Sequence, residues 1–266
     1  MFEYEFMRNA FMAGSAVAIV GGAVGFFLVL RNLTFAGHAL SHVGFAGAAG
    51  SALVGVNSLW GLLVFTLAAG VAMGLLGERL RGRDVAVGIV LSLALGLGVL
   101  FLYLRTSGPA QATAILFGNI LGVSLEAVWT LLGLSVASLC ALAFISRPLL
   151  FATLAPELAE AKGAPLRLVS VLFLALVAIA VAEAAQVVGV LLVFVLMVAP
   201  AAAALRLTTR VGPGLALAAV LALAETWVGI TLAYATDWPT TFWIVVVSCL
   251  IYFASSLKGA TGSIRN

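Results

Sequence analysis

Residues 168–205 read LVSVLFLALVAIAVAEAAQVVGVLLVFVLMVAPAAAAL, a stretch whose only charged side chain is Glu183. At about 1.5 Å per residue, one helix of that length would far outreach the ~30 Å hydrocarbon core of a bilayer. The stretch is therefore expected to form two spans, 168–185 and 187–205, joined near 184–186. Hydrocarbon offers no partner to an exposed peptide group, so a spanning segment is either a helix or part of a closed barrel. Unbroken apolar runs select helices. The reading is an all-α membrane protein.

The rest of the chain agrees. Of 266 residues, 64% are hydrophobic and 9% charged, and the mean hydropathy is +1.24, far outside the range of soluble domains. Windows of about twenty apolar residues add spans at 10–30, 36–56, 59–77, 85–104, 125–145, 214–236 and 240–257. The expectation is eight or nine spans in one transmembrane domain, 1–266, with residues 258–266 as a tail. Cys140 and Cys249 lie far apart in apolar runs and read as filler. No basic run with interleaved aromatics suggests a nucleic-acid face. The first dozen residues carry acids where a cleaved leader would carry bases, so no signal peptide is expected.

Cytoplasmic loops retain lysine and arginine. With the N-terminus outside and nine spans, Arg31, Arg79, Arg81, Arg83, Arg147, Lys162, Arg167, Arg206, Arg210, Lys258 and Arg265 fall inside, and only Arg8 and Arg105 outside. The opposite orientation reverses the split. Two connections exceed simple turns. The outer one, 105–124, has an apolar centre too short to span and reads as a re-entrant or interfacial helix. The inner one, 146–167, reads SRPLLFATLAPELAEAKGAPLR. There Pro156 suits the first helical position, Glu157 the first turn and Gly163 a left-handed cap, so a short cytoplasmic helix is expected.

His38 and His42 are the only histidines. Four residues apart on a helix, their Cβ atoms lie roughly 6 Å apart on one face, close enough to reach one metal ion. The competing reading is a pair hydrogen-bonded to carbonyls near the inner interface. One chain supplies two nitrogens where zinc usually takes four ligands. A two-fold dimer with this helix at the axis would supply four.

Ionisable groups within spans are costly and mark candidate routes. Glu183 and Glu225 are the two here, each either accepting a cation or hydrogen-bonded to Thr226, Gln186 or a facing helix. Pro200 interrupts the seventh span, frees a carbonyl one turn earlier and is expected to kink it. No Walker-type phosphate loop and no zincin or nucleophile-elbow signature occurs in the sequence, so the chain is not read as an enzyme and energy from ATP would require a partner.

Five strings together resemble the permeases of bacterial zinc, manganese and iron importers of the ATP-binding-cassette class. They are FMRNAFMAG (6–14), GFFLVLRNLTFAGHALSHVGFAG (25–47), LFGNILGVS (116–124), PELAEAKG (156–163) and VGVLLVFVLMVAPAAAALRL (188–207). The resemblance implies a type II importer fold and a homodimeric, multi-pass permease in the bacterial inner membrane. It also implies a cytoplasmic ATPase docked on Pro156, Glu157, Ala159 and Gly163, and an external metal-binding protein. Where that family usually shows Asp four residues before His, this chain has His38. It also has Asn119 where Asp often follows LFG. Imidazole in place of carboxylate favours zinc over manganese, so zinc is the expected cargo, carried as substrate, with no resident cofactor. Manganese or iron is the alternative, and a proton-coupled carrier using Glu183 and Glu225 the more distant rival.

Overall fold

The computed structural model describes residues 1, 3–76, 83–104 and 109–262. Among these there are eleven α-helices, one 3₁₀ turn and no strand. They are α1 Glu5–Leu30, α2 Thr34–Val54, α3 Ser58–Leu76, α4 Arg83–Leu104, α5 Pro109–Phe117, the 3₁₀ turn Ile120–Gly122, α6 Leu125–Leu154, α7 Pro156–Ala161, α8 Leu166–Val188, α9 Val190–Leu207, α10 Val211–Thr236 and α11 Thr240–Gly262. Arg79, Arg81, Arg105 and Arg265, which enter the charge count, lie outside the described residues.

Eight helices are long and apolar enough to cross a membrane: α1, α3, α4, α6, α8, α9, α10 and α11. The remaining expected span, α2, has 21 residues but falls short of their apolarity. His38, His42 and a series of glycines and alanines dilute its hydropathy. It is shielded instead, packing along α3 and α4 and touching α8 and α9. The count of eight or nine thus resolves into eight strongly apolar helices and one protected, more polar one.

α1 and α8 are the most enclosed helices and α4 and α11 the least. Lipid is as apolar as leucine, so helix association rests on close packing of small residues more than on hydrophobic burial. Gly47 of α2 and Gly61 of α3 show this directly. A Cβ built on either would fall 2.3 or 2.2 Å from the other's carbonyl oxygen, so the two backbones touch. Further down α3, the buried Thr66 hydroxyl donates to the Ala178 carbonyl of α8 at 3.1 Å.

The short helix expected within 146–167 forms. Pro156 opens α7, Glu157 lies in its first turn, and Gly163 beyond it has φ +73°. α6 differs from expectation by running on past 145, through Pro148, to Leu154. Proline deletes one backbone hydrogen bond, and at this site the helix tolerates the loss. The short helix of the outer connection is α5, followed by the 3₁₀ turn.

The join between the sixth and seventh spans lies at Gly189, a few residues beyond the expected 184–186. Gly189 has φ +82° and ψ 156°, a region open essentially only to glycine. Gly118, at the end of α5, also has positive φ, +71°. The two glycines lie back to back: a Cβ on Gly118 would sit 2.4 Å from the Gly189 nitrogen, and one on Gly189 2.2 Å from the Gly118 nitrogen. The outer connection is thereby seated directly on the break between α8 and α9. Gly189→Ala is expected to cost about 1–3 kcal/mol in backbone strain alone, and more from the clash. Gly96→Ala, whose Cβ meets nothing within 4 Å, is expected to be neutral or stabilising by up to ~1 kcal/mol. Thermal midpoints of the detergent-solubilised variants, followed by size-exclusion chromatography, check both.

Candidate metal site

Sequence places His38 and His42 one turn apart in the first half of α2, and the helix holds them as a pair. Their ring centroids are 4.7 Å apart with planes at 88°. Phe194 of α9 packs against His38 at 5.1 Å, also edge to face. Both side chains are half-buried. Each Nδ1 atom is buried without a hydrogen-bond partner. That is costly for a polar group in a low-dielectric setting, and it leaves two ring nitrogens with lone pairs or protons that the protomer does not use. The reading in which the pair is hydrogen-bonded to carbonyls finds no such bond at these two atoms.

Among the described residues, no group of three or more His, Cys, Asp or Glu side chains is arranged to hold a metal ion. The two carboxylates therefore do not join the imidazoles. Glu183 on α8 is fully buried. Ser135 and Ser138, one turn apart on α6, donate to its Oε2 and Oε1 at 2.7 Å each. The facing helix, one of the expected partners, thus satisfies both oxygens. Glu225 on α10 is equally buried. Ser248 of α11 donates to its Oε2 at 2.7 Å, while its Oε1 has no partner. Neighbouring Thr226 instead donates to the Ala222 carbonyl of its own helix at 2.9 Å. Sequence reasoning missed all three serines, because their spacing means something only once α6 faces α8 and α11 faces α10.

Toward the end of the bundle where α5 lies, Asn119 and Gln186 line a cavity of about 250 Å³ together with Ala48 and Ala52 of α2 and Ala114 of α5. Pro200 is buried inside α9, which continues past it to Leu207. At the opposite end, α7 exposes Pro156, Glu157 and Leu158 and turns Ala159 wholly inward. Of the residues expected at the ATPase contact, Ala159 thus anchors the helix, and Gly163 is exposed beyond it. Leu158, 52% exposed, is the apolar side chain of that surface which the sequence reading passed over.

The model of the ABC 3 transport family matches residues 3–259. Among curated relatives, the manganese transport system membrane protein MntC of Halalkalibacterium halodurans is 29% identical over 264 residues, 97% of this chain and 90% of that protein. The manganese import system permease protein ScaB of Streptococcus parasanguinis is 34% identical over 176 residues, 66% of this chain and 62% of that protein. Among solved structures, PsaBC from Streptococcus pneumoniae in complex with Fab aligns at a TM-score of 0.85 and 28% identity, covering 95% of this chain and 91% of that chain. A metal-chelate type ABC transporter in an inward-facing conformation shares the fold, at a TM-score of 0.67 and 17% identity over 95% of this chain and 85% of that one.

The serine clamp on Glu183 is testable apart from any likeness. Removing both hydroxyls with Ser135→Ala and Ser138→Ala strands a buried carboxyl group and is expected to cost at least ~2 kcal/mol. Glu183→Gln keeps one acceptor and gains one donor for the same serines, and is expected to cost less. Thermal midpoints of the double variant and of the Gln variant check the order.

Proposed function

Since the chain belongs to the ABC 3 transport family, we propose that it is the membrane-spanning permease of an importer for a divalent transition-metal ion, manganese in the first instance. The observation that carries this reading is the family match over residues 3–259, which runs from before α1 into α11. ATP is hydrolysed by a separate subunit, in keeping with a sequence that has no phosphate loop of its own. The match also leaves no role for a proton-coupled carrier.

In this reading, two copies meet with α2 toward the shared axis. His38 and His42 of each then offer four imidazoles to the ion, where one protomer offers two. The unpartnered Nδ1 atoms support that arrangement. The exposed edge of α7 takes the ATPase, and an external metal-binding protein delivers the ion at the opposite end. The N-terminus lies outside and the C-terminus in the cytoplasm, in the bacterial inner membrane. The permease is then a two-state element whose equilibrium the ATPase biases.

On the cargo, two lines of support diverge. The relatives MntC and ScaB carry manganese in their names. Those names give no support to zinc, the cargo expected from the imidazole pair, and they fit its alternative. Zinc stands as a second reading on the donor set alone, because imidazole suits zinc and oxygen ligands suit manganese.

Uptake of labelled manganese, zinc and iron into vesicles holding the complete transporter separates the readings. Manganese entering fastest supports the first, zinc fastest the second. His38→Ala and His42→Ala are each expected to reduce uptake by about 100-fold or more, while expression and dimerisation persist. His38→Asp is expected to raise the manganese-to-zinc ratio about tenfold, ~1.4 kcal/mol of discrimination. Normal uptake of every metal by both alanine variants would remove the site.

A further inference from the structure

α3 and α6 both pack against α8, and between their N-terminal halves lies a cleft of about 650 Å³. Its composition changes with depth. Asn57, Glu126 and Thr130 stand at the rim, where α3 and α6 begin. Gln186, two residues from the end of α8, adds a polar group to the lining. Trp60 and Trp129, 62% and 67% exposed, flank the opening, as indole rings do at a membrane interface. Deeper along the same helices the lining turns to Leu63, Gly133, Leu134 and Ala137. From Glu126 to Ala137 is about 16 Å of helix, close to half of a ~30 Å hydrocarbon core. The cleft therefore has the polarity profile and depth of one lipid leaflet.

Its charge is equally specific. Among the described residues, Glu126 is the one ionisable side chain lining it, and no lysine or arginine joins. Anionic headgroups are disfavoured there, and an ammonium is complemented. Asn57 adds a second contact. Its carbonyl oxygen already accepts from the Leu59 N–H at 2.9 Å, which leaves the amide NH₂ to donate outward, as a phosphate oxygen requires. At Gly133 a Cβ would meet no atom within 4 Å, so an acyl chain can lie against the α6 backbone itself.

We propose that this cleft is a binding site for one phospholipid with an amine-bearing headgroup: its ammonium on Glu126, its phosphate on the Asn57 amide, one acyl chain along Leu63, Gly133 and Leu134. The site depends on the membrane-embedded fold and not on which metal the protein carries.

The full-length chain, reconstituted in nanodiscs with equal phosphatidylethanolamine and phosphatidylglycerol and released into mild detergent, tests it by native mass spectrometry. Wild type is expected to retain one phosphatidylethanolamine per protomer, about fivefold over phosphatidylglycerol, the effect of one charge at the surface. Glu126→Gln is expected to keep a bound lipid and bring the ratio near parity. Gly133→Phe, which fills open space, is expected to lose the lipid with its elution and thermal midpoint unchanged. No retained lipid in wild type, an unchanged ratio in Glu126→Gln, or undiminished lipid in a folded Gly133→Phe would each overturn the proposal. So would a Thr130→Cys cross-link between two copies in a Cys140→Ser, Cys249→Ser background, since a second chain would then cover the cleft. If Gly133→Phe does not fold, Gly133→Leu, with the smaller side chain and the better helix propensity, takes its place under the same criteria.

Discussion

A peptide group in hydrocarbon has no solvent to hydrogen-bond, and that constraint governs this molecule more than any single contact. It makes every spanning element a helix and allows irregular backbone only where protein surrounds it. The junction of Gly118 and Gly189 is where the chain meets the constraint most sharply. α5 ends and α8 gives way to α9 at the same point, each through a residue with positive φ, and the two breaks lie against each other. Their free backbone groups then face protein rather than lipid. The N–H of Gly189 still donates to Ala185 and its carbonyl accepts from Leu192, so the break costs little in hydrogen bonding. What it costs is side chains, and both positions are glycine.

The same constraint separates the polar side chains of the interior into two kinds. Glu183 has both oxygens taken by serine hydroxyls, and its hydrogen-bonding capacity is accounted for within α6 and α8. His38 and His42 present the opposite case: two buried nitrogens, a ring pair in van der Waals contact, and no partner for either Nδ1. Satisfied polar groups rigidify a bundle, whereas each unsatisfied one calls for its own explanation. Glu225 falls between, with one oxygen held and one not.

Much of this was legible in the sequence. Span existence was, because twenty apolar residues in a row have few other meanings, and α7 was, because proline, acid and left-handed glycine each fix a local conformation. Span ends were less so. The helix through Pro148 overran its expected end because one lost backbone bond is too small a signal against a continuing apolar run. The break at Gly189 was misplaced because the polar pair Glu183 and Gln186 drew it toward itself, although both sit comfortably inside α8. Of the candidate site, the i, i+4 spacing of the histidines was readable, whereas Phe194 beside them and the serines around the carboxylates were not. Those contacts join positions 23 to 156 residues apart in sequence and exist only once helices choose their neighbours.

The same contacts also tie α7 to the interior of the bundle. α7 is six residues long and packs only on α6 and α8 among the pairs with substantial contact. With Ala159 fully buried beneath it, the short helix is seated on those two helices. α6 then runs 30 residues without interruption to the far end of the bundle, and midway it grips Glu183 through two serines. Three residues further along α8, Gln186 lines the small cavity beside α2. Between α7 and that cavity the connection therefore runs through continuous helix and one carboxyl group held by two serine hydroxyls. The long α6, which a proline in its last turns did not end, is what makes that path continuous.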